Sequence, residues 1–83
     1  MHITVEISYY PLLERYEVPV KELLALLENH PEVEAEVGGM STLLGGEYND
    51  VMNLLTTSMR QLMQSYPSVF NLKISNSCEL KQP

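Results

Sequence analysis

The sequence has no tryptophan, one phenylalanine, one cysteine and two histidines, and its five lysines and arginines face eleven aspartates and glutamates. A single cysteine, Cys78, excludes a disulfide framework within the chain and any CxxC redox or metal site; the thiol reads as structurally incidental. His2 and His30 stand far apart with no ligand spacing between them, so both read as surface residues and no metal is expected. The formal net charge of −6 excludes nucleic acid as a partner, because binding there needs basic residues that displace counterions from phosphates. It disfavours anionic lipid equally, and it suits a neutral or cationic small ligand. No apolar run approaches the ~18 residues of a spanning helix, so no membrane insertion is expected. The first residues lack the basic and apolar regions of a secretory signal, and a cytoplasmic protein is expected.

Catalytic signatures are also missing. There is no Ser/His/Asp set, no HExxH and no glycine-rich loop opening a helix with a lysine. Arg15 lies near the first connector, but no glycine-rich cradle surrounds it to hold a phosphate. The expectation is a protein that is not an enzyme and carries no cofactor.

What is present is a small, well-patterned domain. Eighty-three residues, 45% apolar and 19% charged, leave room for one core. Residues 1–77 are expected to form it, with residues 78–83 as a polar C-terminal tail. A chain this short buries only about 60% of its unfolded surface, so association into a homodimer or homotetramer is expected.

The stretch from Gly38 to Asp50 organises the rest. Gly38-Gly39 reads as a tight turn that exploits glycine's access to positive φ. Met40, Ser41, Thr42, Leu43 and Leu44 read as a strand, and Gly45-Gly46 as a bend or a close approach. Before it, residues 2–10 alternate: Ile3, Val5, Ile7 and Tyr9 on one side, Thr4, Glu6, Ser8 and Tyr10 on the other. Pro11 ends that strand. Pro19 opens a helix whose stripe is Val20, Leu23, Leu24 and Leu27, and Pro31 forbids its continuation. Val33, Ala35 and Val37 alternate with Glu32, Glu34 and Glu36 in a half-buried second strand, the glutamates protecting an edge. A second helix follows the third strand, with Asn49 as its cap and Val51, Leu54, Leu55, Ser58, Met59, Leu62, Met63 and Tyr66 on one face. Residues 69–76 form a last strand with Phe70, Leu72 and Ile74 on its apolar side.

Strand, helix, strand, strand, helix, strand is the order of the ferredoxin-like α+β fold, a four-stranded antiparallel sheet with two helices on one face. The other face then collects Thr4, Glu6, Ser8, Tyr10, Asn71, Lys73 and Ser75, with either Ser41 or Thr42. Leu43 and Leu44 are both apolar, so pattern alone leaves the third strand's register open. This open face is the expected ligand site. Glu6 and Lys73 are placed to pair across strands, Tyr10 or Tyr48 to stack on a ring, and Glu47 to support either a ligand or the start of the second helix.

With these residues laid out, the chain resembles the YkoF-like thiamine/hydroxymethylpyrimidine-binding family. The resemblance rests on Tyr10-Pro11-Leu12, on Tyr16 and Pro19, and most on Met40-Ser41-Thr42-Leu43-Leu44-Gly45-Gly46-Glu47 running into Val51-Met52. It implies a ferredoxin-like unit with a non-catalytic role, the binding of thiamine or its pyrimidine moiety in salvage or uptake. It also implies Ser41 and Thr42 as the pyrimidine's hydrogen-bonding groups. Some members carry two such units per chain, so a single unit would imitate them by dimerising. A second reading is an oligomerisation or regulatory module whose open sheet face is covered by another subunit.

Overall fold

The computed structural model of the protein describes residues 1–77; the expected tail, residues 78–83 with Cys78, lies outside the described residues. The elements are β1 (His2–Pro11), α1 (Glu17–Leu27), β2 (Val33–Val37), β3 (Thr42–Glu47), α2 (Tyr48–Ser65) and β4 (Ser68–Ser75). The strands form one antiparallel sheet in the order β2-β3-β1-β4. This is the ferredoxin-like arrangement, with β1 and β3 central.

Register decides which side chains meet the helices. Val5 lies opposite Leu44 on one side and Ile74 on the other, and Ile7 opposite Thr42 and Leu72. Side chains alternate along each strand, so Ile3, Val5, Ile7, Thr42, Leu44, Gly46, Phe70 and Leu72 share the helix-covered face. They pack with Leu23 and Leu27 of α1 and Val51, Leu54, Leu55 and Leu62 of α2. Thr4, Glu6, Ser8, Leu43 and Lys73 share the open face. Only one register keeps Leu44 wholly buried, and the structure adopts it.

Several boundaries differ from the sequence pattern, each for a physical reason. The third strand starts at Thr42 and runs through Gly45 and Gly46; Met40 belongs to the turn and is 95% exposed. Neither Gly38 nor Gly39 has positive φ, so the turn does not use the freedom expected of them. Gly46 is required for a different reason: a Cβ there would lie 2.9 Å from the Glu32 main-chain oxygen and 3.3 Å from a Val51 methyl. The first helix begins at Glu17, two residues before Pro19. Proline fits there because the first turn's N–H groups have no helical acceptor, and the first i−4 bond comes from Val20 to Tyr16. β1 ends at Pro11 as expected, with the proline itself as its last residue, paired with Ser68. The second helix is capped by Glu47, not Asn49: its carboxylate accepts the Asn49 N–H at 2.9 Å. In β2 only Val33 is buried, while Ala35 and Val37 remain exposed. The helical layer does not reach over that end of the strand.

Candidate functional site

Ser41, just before β3, and Thr42, its first residue, turn to opposite faces of the sheet. The Ser41 hydroxyl donates to Glu6 Oε2 at 3.1 Å. Glu6 Oε1 lies 3.9 Å from Lys73 Nζ, whose side chain is 81% exposed, so that ion pair contributes little. Glu6, Ser41 and Lys73 therefore form a short polar row across the open face. Ser8 shares the face, half-buried.

Thr42 points the other way. It is 6% exposed and lines a cleft of about 540 Å³ at one end of the interlayer space. The cleft is walled by Ile7 and Tyr9 of β1, Leu13 and Tyr16 of the connector, Val20, Leu23 and Leu24 of α1, and Val37 to Thr42 of the β2–β3 hairpin; Tyr10 contributes to its rim. Gly38 and Gly39 line it without side chains, and Thr42 adds a small one. Among the described residues, the Thr42 hydroxyl has no hydrogen-bond partner. No wholly enclosed polar side-chain atom is left unpaired there either, so this hydroxyl opens onto the cleft. No acidic, basic, histidine or cysteine side chain lines that space among the described residues.

The remaining expected site residues lie elsewhere. Glu47 and Tyr48 sit at the far end of β3 from Thr42. Glu47's carboxyl is held below its ordinary value of 4.5, chiefly by the Asn49 N–H, with burial opposing and the adjacent α-amino group adding. Its contact with that amino nitrogen is 3.5 Å. The structure thus separates the expected set into an open-face group (Glu6, Ser8, Ser41, Lys73), a cleft group (Thr42, Tyr10) and a helix-start group (Glu47, Tyr48). The pattern missed Tyr9, Tyr16, Val20, Leu24 and Val37 as cleft residues. Val20 and Leu24 share a stripe with Leu23 and Leu27, and nothing in that spacing says which half faces a gap.

Near the cleft, Tyr9 stacks on Phe70 with ring centroids 4.3 Å apart and planes 4° from parallel, and its hydroxyl lies 2.9 Å from Ser68 Oγ. The Tyr66 hydroxyl donates to Glu22 Oε1 at 3.1 Å, which joins α2's end to α1. That carboxylate raises the Tyr66 pKa above 10.0. Among the described residues no cluster of three or more His, Cys, Asp or Glu could hold a metal ion, and no helix is long and apolar enough to cross a membrane.

No protein-family model matches the sequence, and no curated protein matches it. Solved structures do. A Thermotoga maritima protein provisionally named for thiamine biosynthesis or salvage superposes with a TM-score of 0.82 at 24% identity, over 93% of this chain and 85% of that one. A Streptococcus pneumoniae protein superposes with a TM-score of 0.84 at 24% identity, over 96% and 90%. A Bacillus cereus domain of unknown function, DUF77, does so at 0.75 and 19% identity, over 90% and 75%. At these identities the likeness establishes the ferredoxin-like fold, which by itself hosts many activities.

Proposed function

We propose that this chain binds thiamine, or its hydroxymethylpyrimidine moiety, without turning it over, and serves thiamine salvage or uptake in the cytoplasm. The observation that carries the reading is the hydroxyl of Thr42, a residue 6% exposed, unpartnered among the described residues and set in the lining of an apolar cleft. Such a group is open to a ligand's polar atoms, and an aminopyrimidine offers both a ring nitrogen to accept its proton and an amine to donate to it. A cleft of about 540 Å³ lies within the usual range for small-ligand sites.

The flat ring would lie among Ile7, Val20, Leu23 and Leu24, and a thiazolium cation at the mouth would meet the tyrosine faces of Tyr10 and Tyr16. The acidic surface of the protein favours that cation at long range. Ser41, already bonded to Glu6, contributes main-chain groups at the rim rather than its hydroxyl. The lack of a charged or histidine side chain among the described cleft residues supports binding over acid–base turnover. The chemical class comes from the name of the Thermotoga protein and from the resemblance of the Met40–Glu47 run.

Calorimetric titration with thiamine and with free hydroxymethylpyrimidine tests this reading. Saturable one-to-one binding is expected for both; no heat at millimolar ligand would overturn it. A second reading, a homodimer or homotetramer whose open sheet faces meet, is favoured by the Glu6–Ser41–Lys73 row, which lies on that face. Sedimentation over a range of concentrations tests it, and a monomer at micromolar concentration counts against it.

A further inference from the structure

We infer that the free edge of β2, with the trough beside it, is a docking site for an extended peptide segment of a partner protein in which apolar residues alternate with lysine or arginine. This surface is distinct from the proposed ligand site, although Leu24 and Val37 touch both spaces.

Among the described residues β2 is an outer strand, paired on one side only, with β3. The Gly38 N–H donates to the Ser41 carbonyl at 2.9 Å. Continuing that alternation along the register of Val37 with Thr42 and Val33 with Gly46 directs the Glu34 and Glu36 main chain to β3. The main-chain groups of Val33, Ala35 and Val37 then point outward. Val33 already spends its N–H on the His30 carbonyl at 3.0 Å, leaving Ala35 and Val37 as the open template.

Beside that template lies a trough of about 440 Å³ between β2 and α1, lined by Leu24, Leu27, Val33, Ala35 and Val37 and, at its polar end, by Glu28, Asn29 and His30. Val37 is 60% exposed and Ala35 is exposed. A strand added along the edge would send alternate side chains into this trough and the others over Glu34 and Glu36 on the opposite face. Sheet-edge addition of this kind takes affinity from main-chain hydrogen bonds and specificity from the alternate side chains.

Charge selects the occupant. A second copy pairing antiparallel about Ala35 would set Glu34 opposite the other copy's Glu36, twice, and like charges directly opposite are destabilising. Lysine or arginine at those positions converts repulsion to attraction. Edge protection accounts for the glutamates, but not for an apolar side of the same strand left uncovered by the helices.

The probe is a fluorescein-labelled, end-blocked hexapeptide of alternating lysine and valine, followed by anisotropy at low salt. Its control has the same six residues as two blocks. The alternating peptide is expected to bind the full chain, the block peptide about tenfold more weakly or worse, and both less as salt rises. Ala35→Pro removes an outward N–H that β3 does not use, and Glu36→Lys reverses one charge. Each is expected to weaken the alternating peptide about tenfold with circular dichroism unchanged, while Thr42→Val leaves its binding intact. Should Ala35→Pro fail to fold, Glu36→Lys decides. Equal binding of the two peptides, no binding, or indifference to Glu36→Lys would overturn the inference. So would a wild-type dimer that Ala35→Pro dissociates, since the edge would then belong to a second copy.

Discussion

Ser41 and Thr42 are adjacent in the chain and opposite in circumstance. One hydroxyl is spent on Glu6 across the open face; the other opens onto the cleft with no partner among the described residues. Thr42→Val keeps the volume and removes the hydroxyl. It is expected to lower affinity for thiamine or the free pyrimidine about tenfold, the worth of one buried hydrogen bond. Unfolding midpoint should hardly move, because no hydrogen bond within the described protein is lost. Titration and thermal melts of the same preparation check both halves. The pair was legible in the sequence as two hydroxyls in an apolar strand. Their assignment to faces was not, because Leu43 and Leu44 satisfy a two-residue period in either phase. What breaks the tie lies elsewhere in the chain: Gly46 must approach the Glu32 carbonyl, and Leu44 must meet Val5.

At the scale of elements, hydrophobic spacing located both helices and all four strands, and mistook mainly how they begin and end. The α2 cap is the instructive case. Asn49 is a good capping residue by type, yet Glu47 occupies the position, since β3 runs directly into the helix with Glu47 in extended geometry and its carboxylate reaching Asn49 N–H. That hydrogen bond lowers the carboxyl's pKa below 4.5. A depressed acid contributes stability that is present above its unfolded value and lost as pH falls through its folded value. Glu47→Gln is therefore expected to melt below wild type at neutral pH. The gap should close as pH drops from about 4.5 to below the folded-state pKa. Melting curves from pH 7 to pH 2 check this, and a gap independent of pH would refute it. Helix starts are poorly legible because several residue types cap well, and the path of the preceding strand chooses among them.

For the whole molecule, stability rests on a thin interlayer core in which Ile3, Val5, Ile7, Leu44, Val51, Leu55 and Leu62 are almost wholly buried. Leu62→Ala is expected to cost about 2–5 kcal/mol, a large share of the 5–15 kcal/mol typical of a domain. Its urea midpoint should fall accordingly, with little change in slope. That these residues are core, Leu44 excepted because its register needed the structure, was determined by the sequence alone. A period of two or of 3.6 is a property of consecutive side chains, and burying every apolar stripe leaves the ferredoxin-like order as its natural solution. Low positive charge and the shortage of cysteine and histidine likewise narrowed the chemistry before any fold was known. The cleft, the uncovered side of β2 and the separation of the expected site residues were decided only in three dimensions. Each depends on where the layers fail to meet: the β2–β3 hairpin and α1 leave a space between them, and the helical layer stops short of Ala35 and Val37. A gap has no periodicity, because it is made by residues distant in sequence and by side chains that are not there.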